Sequence, residues 1–221
     1  MPVIESPSGS DPTDESGSSA PRRRRPHGRP RSRESHLAIR RATIDLLEES
    51  GLMALTVEAV AARSGTSKAT IYRWWPSKAS LAMEAFVAEM IPELPFVSTG
   101  DIRHDFRLHL RKMVDVLNTT LGRTLAEIIA EMQHDDDLAA TFREQYIDPQ
   151  RRAPRVALQA AVAAGQVAGD ANPDVIMDSL YGAMYFALLV RNHEIDTAFV
   201  DRLVEQVLGP SDHEPGHADP A

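Results

Sequence analysis

The chain has 221 residues and contains no cysteine, which excludes a disulfide scaffold and a thiolate metal site. Its formal net charge of −8 would argue against a nucleic-acid partner if the charges were spread evenly along the chain. They are not: seven arginines lie between residues 21 and 33, whereas residues 91–221 contain eleven basic and twenty-one acidic side chains. Contact with nucleic acid is therefore expected from the N-terminal part.

The N-terminal segment, residues 1–33, has the composition of a disordered tail that ends in an arginine-rich arm. Residues 28–31 have the sequence Gly-Arg-Pro-Arg, which resembles an AT-hook, an extended segment whose arginines enter a narrow minor groove. We therefore expect Arg29 and Arg31 to contact DNA. The alternative is a solubilising or import-like basic run. Residues 210–221 are also expected to be a disordered tail and are assigned no role.

Residues 34–91 have the apolar periodicity of a small helical domain. A first helix is predicted over residues 35–50, where apolar side chains recur at helical spacing and Gly51 follows. A fourth helix is predicted from about residue 78 to residue 91. Two shorter helices, separated by a turn, are predicted between them.

These two shorter helices form a helix-turn-helix pattern. Thr56 is suited to the N-cap of the first, and Gly65 to the left-handed conformation that ends it. Ser67 can cap the second, which Pro76 prevents from continuing. A short turn with glycine between two such helices is typical of the motif whose second helix enters the major groove of DNA.

The pattern resembles the DNA-binding motif of the TetR family of transcriptional regulators across 26 consecutive positions, residues 56–81, with no gap. The matching positions are Thr56, Val60, Ala61, Ser64, Gly65, Thr66, Ser67, Tyr72, Trp74, Trp75, Lys78 and Leu81. The departures include Trp74, which stands where the family commonly has a histidine against phosphate. An indole N–H can still donate to a phosphate oxygen.

The resemblance implies a role for each exposed position of the motif. The positions of Thr56, Tyr72, Trp74 and Lys78 hold the DNA backbone, and those of Lys68, Ala69, Thr70 and Arg73 face the bases. Ser67, at the start of the recognition helix, is counted with the DNA-binding residues.

The resemblance also implies an all-α fold of about nine helices, with a three-helix DNA-binding unit inside residues 34–91 and a C-terminal ligand-binding and dimerisation domain. Residues 92–100, which contain two prolines, are predicted to be the linker. Residues 101–209 have helical periodicity throughout, and we expect five helices there. Because Pro149 and Pro154 lie within one helical segment, a break or kink is expected near Asp148.

Residues 180–190 are apolar around the whole helix circumference and should be buried on every side. Eleven residues are too few to span a bilayer, and no hydrophobic signal region is visible, so a cytoplasmic protein without a membrane partner is expected. The resemblance implies that the last two helices pair with their copies in a homodimer, and two-fold symmetry then predicts a palindromic operator in double-stranded DNA. The alternative is that both helices are ordinary monomer core. The candidate interface residues are Leu180, Leu188, Phe199, Leu203 and Val207.

A pocket for a small apolar or amphipathic ligand is expected from the resemblance. Methionine and aromatic side chains commonly line adaptable cavities, although each candidate could equally be plain core. The candidates are Met113, Leu117, Ile128, Met132, Phe142, Tyr146, Tyr181, Met184 and Tyr185. A ligand that favours a dimer with altered recognition-helix spacing would weaken DNA binding.

An enzyme is not expected. The eight histidines include no pair at i, i+4, and no phosphate loop, nucleophile elbow or dinucleotide fingerprint is present. Residues 134–137, His-Asp-Asp-Asp, could bind a hard cation but more readily cap the following helix. We expect no catalytic residue, metal or cofactor. The sequence favours a repressor released from its operator by a ligand; the alternatives are an activator, a ligand-independent repressor, or a ligand-binding protein with vestigial DNA binding.

Overall fold

The computed structural model describes residues 29–191 and 194–210, with side chains described from residue 33 onward. Over these residues it contains nine helices and no strand, which confirms the all-α prediction. The helices are α1 (Arg29–Ala54), α2 (Val57–Ser64), α3 (Lys68–Trp74), α4 (Lys78–Glu93), α5 (Ile102–Leu117), α6 (Thr120–Glu131), α7 (Asp136–Phe142, continued by Arg143–Ile147 and Asp148–Ala163), α8 (Pro173–Phe186, continued by Ala187–Arg191) and α9 (Thr197–Leu208).

Helix α1 begins earlier and ends later than its periodicity predicts. Arg29 and Arg31 lie in its first turns, in helical rather than extended backbone, so the AT-hook conformation expected for them is not the one observed. Their side chains, and the rest of the arginine-rich arm within residues 1–28, lie outside the described residues, as does most of the tail at 210–221. Near its other end α1 is interrupted at Gly51, whose φ of 75° favours glycine.

The predicted break near Asp148 takes the form of a π-helical segment, Arg143–Ile147, inside α7. Backbone dihedrals remain helical on both sides of it, at Phe142 and Asp148. Pro149 has no N–H to donate to the carbonyl one turn earlier, and a π-helical turn is a common way to accommodate such an interruption. The prolines therefore widen one turn of the helix instead of ending it.

A single hydrophobic core runs through the N-terminal and C-terminal halves of the described chain. Helix α6 packs along α1, and α4 packs against both of them. In the C-terminal half α5 packs on α9, and α7 packs on α8. Helix α4 extends to Glu93, into the segment expected as a linker, and Leu94 after it is buried in the same core. The N-terminal helices α1 and α4 are thus joined to the C-terminal helices by packing as well as by chain connectivity.

The turn between α5 and α6 brings backbone close to Gly122. A Cβ at Gly122 would lie 2.0 Å from the carbonyl oxygen of Leu117. Only glycine fits there, although its φ is not in the left-handed region. The position of α6, which contacts α1, therefore depends on this residue.

Candidate functional site

Local hydrogen bonds that the sequence dictates cap the two helices of the helix-turn-helix. The Thr56 hydroxyl accepts from the Ala59 N–H at 3.1 Å, and the Ser67 hydroxyl accepts from the Thr70 N–H at 3.1 Å. Between them Gly65 adopts φ 65°, and its N–H donates to the Ala61 carbonyl. The turn angle is therefore set by residues within a few positions of one another.

Two inward side chains anchor helix α3, and the opposite face of the helix is exposed. Ile71 is buried within α3, and Trp75, directly after it, is buried as well. The outward face presents Ser67, Lys68, Ala69, Tyr72 and Arg73, while Thr56 is exposed at the start of α2 and Thr70, Trp74 and Lys78 are half-buried. The residues expected to face bases and phosphates thus lie together around one short helix.

An aromatic cluster fixes the C-terminal end of α3 against α1. The imidazole of His36 lies between the indoles of Trp74 and Trp75, at centroid distances of 5.1 Å and 4.7 Å. The Trp75 Nε1–H donates to Glu84 at 2.8 Å, and the other carboxylate oxygen of Glu84 lies 3.2 Å from His36 Nε2. The Arg73 guanidinium lies 5.2 Å from the centre of the Trp74 ring. Trp74 therefore supports Arg73, for which a base contact is expected, by a cation–π contact.

Sequence reasoning did not identify His36 or Glu84, because their partners lie 38 and 9 residues away and neither belongs to a local motif. The only signal in the sequence is the pair of adjacent tryptophans, which suggests an aromatic cluster but not its partners.

The lysines of the motif have intramolecular partners. Lys68 donates to Glu58 at 2.8 Å, and this hydrogen bond raises the pKa of Lys68 and lowers the pKa of Glu58. Lys78 donates to the Leu52 carbonyl at 2.9 Å, so one of its three N–H donors is used inside the protein. Lys78 therefore supports the end of α1, a role that the sequence did not indicate, in addition to the phosphate contact expected for it.

The same backbone position is held from the C-terminal side. Glu127, on α6, accepts from the Leu52 N–H at 2.9 Å. The peptide groups around Leu52 are thus held between Lys78 of α4 and Glu127 of α6, directly after the interruption of α1 at Gly51. This arrangement gives a direct polar contact between α1 and the C-terminal helix α6.

A cavity lies within the C-terminal helices; the space inside it that atoms leave empty, including solvent at its mouth, is about 410 Å³. Its lining residues are Leu94, His109, Met113, Tyr146, Ile147, Gln150, Arg151, Tyr181 and Tyr185. Of the nine expected pocket residues, Met113, Tyr146, Tyr181 and Tyr185 lie at this cavity. The other five lie elsewhere: Ile128, Phe142 and Met184 are buried in the core, Met132 packs against it, and Leu117 lies at the end of α5.

Three polar groups at the cavity have no hydrogen-bond partner among the described residues. They are His109 Nδ1, the Gln150 side-chain amide nitrogen and the Tyr181 hydroxyl. The tyrosine hydroxyls of Tyr146 and Tyr185, in contrast, hydrogen-bond each other. Burial lowers the pKa of His109 to about 4, so the imidazole is neutral at pH 7, and burial raises the pKa of all three tyrosines.

Two family models match the chain. The model described as bacterial regulatory proteins, tetR family, matches residues 39–85, and the model described as tetracyclin repressor-like, C-terminal domain, matches residues 96–207. The chain belongs to the TetR family of transcriptional regulators. The matches confirm the family predicted from the motif. They also confirm that the protein is a DNA-binding transcriptional regulator.

Several transcriptional regulators are similar to this chain over most of their length. The HTH-type transcriptional regulator YdeS of Bacillus subtilis is 33% identical over 177 residues, which cover 80% of this chain and 89% of the relative. The DNA-binding transcriptional repressor TetR of Mycobacteroides abscessus is 31% identical over 177 residues, covering 77% and 90%. The crystal structure of the TetR family transcription regulator SCO0332 has a TM-score of 0.70 and 38% identity, covering 80% of this chain and 98% of that one.

Members of the TetR family act as dimers, and the structure shows which apolar side chains remain exposed. Leu180 is 0% exposed because it points into the protomer core, so it is not available for an interface, contrary to expectation. Leu188, Phe199, Leu203 and Val207 are half-buried against the core. Apart from Leu108 on α5, the large exposed apolar side chains described on the C-terminal helices lie instead on α7 and α8, and they are Val156, Val175, Phe186, Leu189 and Val190.

Helix α8 is longer than its apolar stretch indicates. The whole helix, Pro173–Arg191, has the length and composition to cross a membrane, whereas the apolar stretch 180–190 alone was expected to be too short. Ile176, Met177, Leu180 and Met184 are buried in the core. In a family of DNA-binding regulators, this apolar helix packs against the protein core and is not evidence of a membrane span.

Proposed function

We propose that this protein is a homodimeric repressor that binds a palindromic operator through α3 and is released by a small apolar or amphipathic ligand. The observation that carries the DNA-binding part is the exposed face of α3, where Lys68, Ala69 and Arg73 are outward on a helix anchored by Ile71 and Trp75. In this proposal Lys68, Ala69, Thr70 and Arg73 face bases.

The DNA backbone is assigned to residues around the recognition helix. Thr56, Tyr72, Trp74 and Lys78 contact phosphates, together with Ser67 at the helix N-terminus, where backbone N–H groups favour an anion. Arg29 and Arg31 lie at the start of α1 and add positive charge on the approach to DNA. Such contacts position the protein, whereas the base-facing residues select the sequence.

Repression, rather than activation, is supported by the relative from Mycobacteroides abscessus, which is named as a DNA-binding transcriptional repressor. Release by a ligand is supported by the cavity and by the contact of α6 with α1 through Glu127 and the Leu52 N–H. A ligand that shifts the C-terminal helices would act on the recognition helices by this route. Ligand and operator then weaken each other's binding by the same factor.

Dimerisation is assigned to the exposed apolar face of α7 and α8, defined by Val156, Val175, Phe186, Leu189 and Val190. On α8 the exposed positions Val175, Ser179, Gly182, Phe186 and Leu189 recur at the spacing of one helix face. Two copies of this face would form an isologous interface and place the two α3 helices for half-sites about 34–36 Å apart. The protein would act in the cytoplasm, where its DNA is.

Fluorescence anisotropy with the DNA upstream of the protein's own gene tests the operator proposal. Binding is measured across a salt series with excess nonspecific competitor, and a shuffled duplex of equal length is the control. Saturable binding that survives competitor, with whole dimers per site, supports a sequence-specific regulator. Equal binding to the shuffled duplex, lost at moderate salt, would mean that only general phosphate contacts are made.

Sedimentation of Phe186→Glu tests the dimer. A charge in the middle of the α7 and α8 face should convert the protein to a folded monomer, because a buried unpaired carboxylate is costly. Met53→Glu is the matched control, since Met53 is 77% exposed on α1, away from that face. A Phe186→Glu protein that remains dimeric would remove α8 from the interface.

A further inference from the structure

The cavity of the C-terminal helices carries polar groups that the protein itself leaves unpaired. We infer that it binds an uncharged aromatic molecule that carries both a hydroxyl donor and a carbonyl-type acceptor. The inference rests on the proposed function, since it specifies the ligand class of the site assigned to release from DNA.

The three unpaired groups set the hydrogen-bonding pattern of the ligand. His109 is 3% exposed, and its Nδ1 has no partner among the described residues; in the neutral tautomer with the proton on Nε2, Nδ1 is a hydrogen-bond acceptor. Nδ1 then calls for a donor on the ligand. The Gln150 amide nitrogen is a donor and calls for an acceptor, and the Tyr181 hydroxyl can serve either role.

Such groups are costly to bury unpaired, so their presence at a cavity needs an explanation. Buried polar atoms in proteins nearly always have a partner, which is another protein group, an ordered water or a bound ligand. Here the three atoms come from α5, α7 and α8 and line one cavity, and the His109 and Tyr181 rings lie 5.9 Å apart. A ligand that pairs with all three would supply hydrogen bonds that the other described residues do not supply.

The charge state of the lining argues for an uncharged ligand. Arg151 is the cationic side chain of the lining, and its guanidinium is already paired with Asp178 at 2.5 Å and with Asp174 at 3.3 Å. Asp174 also pairs with Arg155. His109 is neutral at pH 7. A carboxylate or ammonium group placed in the cavity would therefore find no unpaired counter-charge, and burying it would be unfavourable.

The walls argue for an aromatic ligand. Tyr146, Tyr181, Tyr185 and His109 surround the cavity, and Phe96 holds the His109 ring from behind at a centroid distance of 5.4 Å. Aromatic rings pair well edge to face or offset.

A matched series of small molecules tests this ligand class by calorimetry on the full-length protein. The series is 4-hydroxybenzophenone, which has donor and acceptor; benzophenone, which has the acceptor; 4-benzylphenol, which has the donor; and 4-benzoylbenzoate, which is an anion. We expect 4-hydroxybenzophenone to bind tightest, loss of either group to weaken binding about tenfold, and the anion not to bind. Equal affinities across the series, or tightest binding of the anion, would overturn the inference.

Isosteric variants test the assignment of the polar groups. Tyr181→Phe and Gln150→Met should leave the melting temperature unchanged or raise it, because each removes an unpaired polar group, yet weaken binding of 4-hydroxybenzophenone about tenfold. Tyr185→Phe is the matched control, since its hydroxyl is paired with Tyr146, and it should lower the melting temperature. A lower melting temperature for Tyr181→Phe would show that its hydroxyl is already satisfied in the free protein, against the inference.

Operator release, measured by anisotropy with the same molecules, separates this inference from the proposed function. Binding of 4-hydroxybenzophenone without release of DNA supports the ligand class and counts against ligand-controlled repression. Release by 4-benzoylbenzoate, with no binding of the neutral molecules, overturns the ligand class and leaves the repressor proposal standing.

Discussion

The recognition unit, α2 and α3, and the ligand cavity are built in opposite ways. In the recognition unit the caps, the turn and the Lys68–Glu58 ion pair join residues at most ten positions apart, and the capping hydroxyls have partners. The cavity gathers residues from Leu94 to Tyr185, and three of its polar groups are unpaired. The surface proposed to present a helix to DNA is defined by contacts between neighbouring residues, whereas the cavity proposed to bind a ligand is formed by packing between distant residues.

The largest expected effect comes from breaking the packing on which the cavity half depends. Gly122→Ala places a Cβ 2.0 Å from the Leu117 carbonyl oxygen, so α5 and α6 must separate. We expect a loss of about 3 kcal/mol in the free energy of unfolding, measured by urea denaturation. Because one core joins both halves, the recognition helices should unfold in the same transition.

Gly169→Ala is the control for this comparison. Nothing lies within 4 Å of a Cβ at Gly169, and its φ is outside the left-handed region, so the stability should hardly change. Two separate unfolding transitions for Gly122→Ala would show that the recognition unit is stable without the C-terminal helices.

A second prediction uses the titration of the cavity. Burial lowers the pKa of His109 from 6.5 to about 4, so between these values the unfolded chain binds a proton that the folded protein does not. The stability that His109 contributes is fully present above pH 6.5 and falls as the pH drops, by up to about 3 kcal/mol near pH 4. The measurement is unfolding free energy against pH, compared with His109→Gln, which cannot titrate. Parallel curves for the two proteins would mean that His109 is solvated.

The same contrast determines how much of this molecule could be predicted from its sequence. Thr56, Gly65 and Ser67 end or begin helices through contacts within four residues, so α2 and α3 were predictable nearly to their bounds. Their local chemistry suffices, because capping and turn preferences are properties of single residues and their neighbours.

Features that depend on long-range contacts were not predictable. Lys78 bonds the Leu52 carbonyl, and Leu180 points into the core rather than outward, because packing between helices determines both. Periodicity predicts an apolar helix but not which of its sides a partner covers. His109 and Gln150 were missed because nothing in their sequence neighbourhood indicates that they meet at a cavity.

On the recognition side, the third prediction removes a base-facing side chain. Arg73→Ala should weaken specific operator binding by about 1–3 kcal/mol while the fold and nonspecific binding are retained. Arg202→Ala is the control, since it removes an exposed arginine from α9, on the other half of the protein. Anisotropy with operator and shuffled duplexes measures the specific and the nonspecific affinity. An equal loss for the two duplexes would instead assign Arg73 to the phosphates, as expected of a positioning contact.

The smallest effect concerns the ion pair within the recognition unit. In Glu58→Gln the acceptor of Lys68 loses its charge, so Lys68 is held less strongly and one carboxylate is removed from the surface proposed to face DNA. If Lys68 contacts a phosphate, affinity should rise a few-fold, and the slope of log affinity against log salt should steepen by up to about 0.9.

Glu49→Gln is a matched control for Glu58→Gln, because it neutralises the partner of Arg63 in a second exposed ion pair of the same half. A rise in affinity confined to Glu58→Gln would place Lys68 at the interface. Higher affinity without a steeper slope, and with weaker discrimination between operator and shuffled DNA, would mean that Glu58 holds Lys68 toward a base. The Lys68–Glu58 ion pair would then contribute to sequence selectivity, because it restrains the direction of the Lys68 side chain.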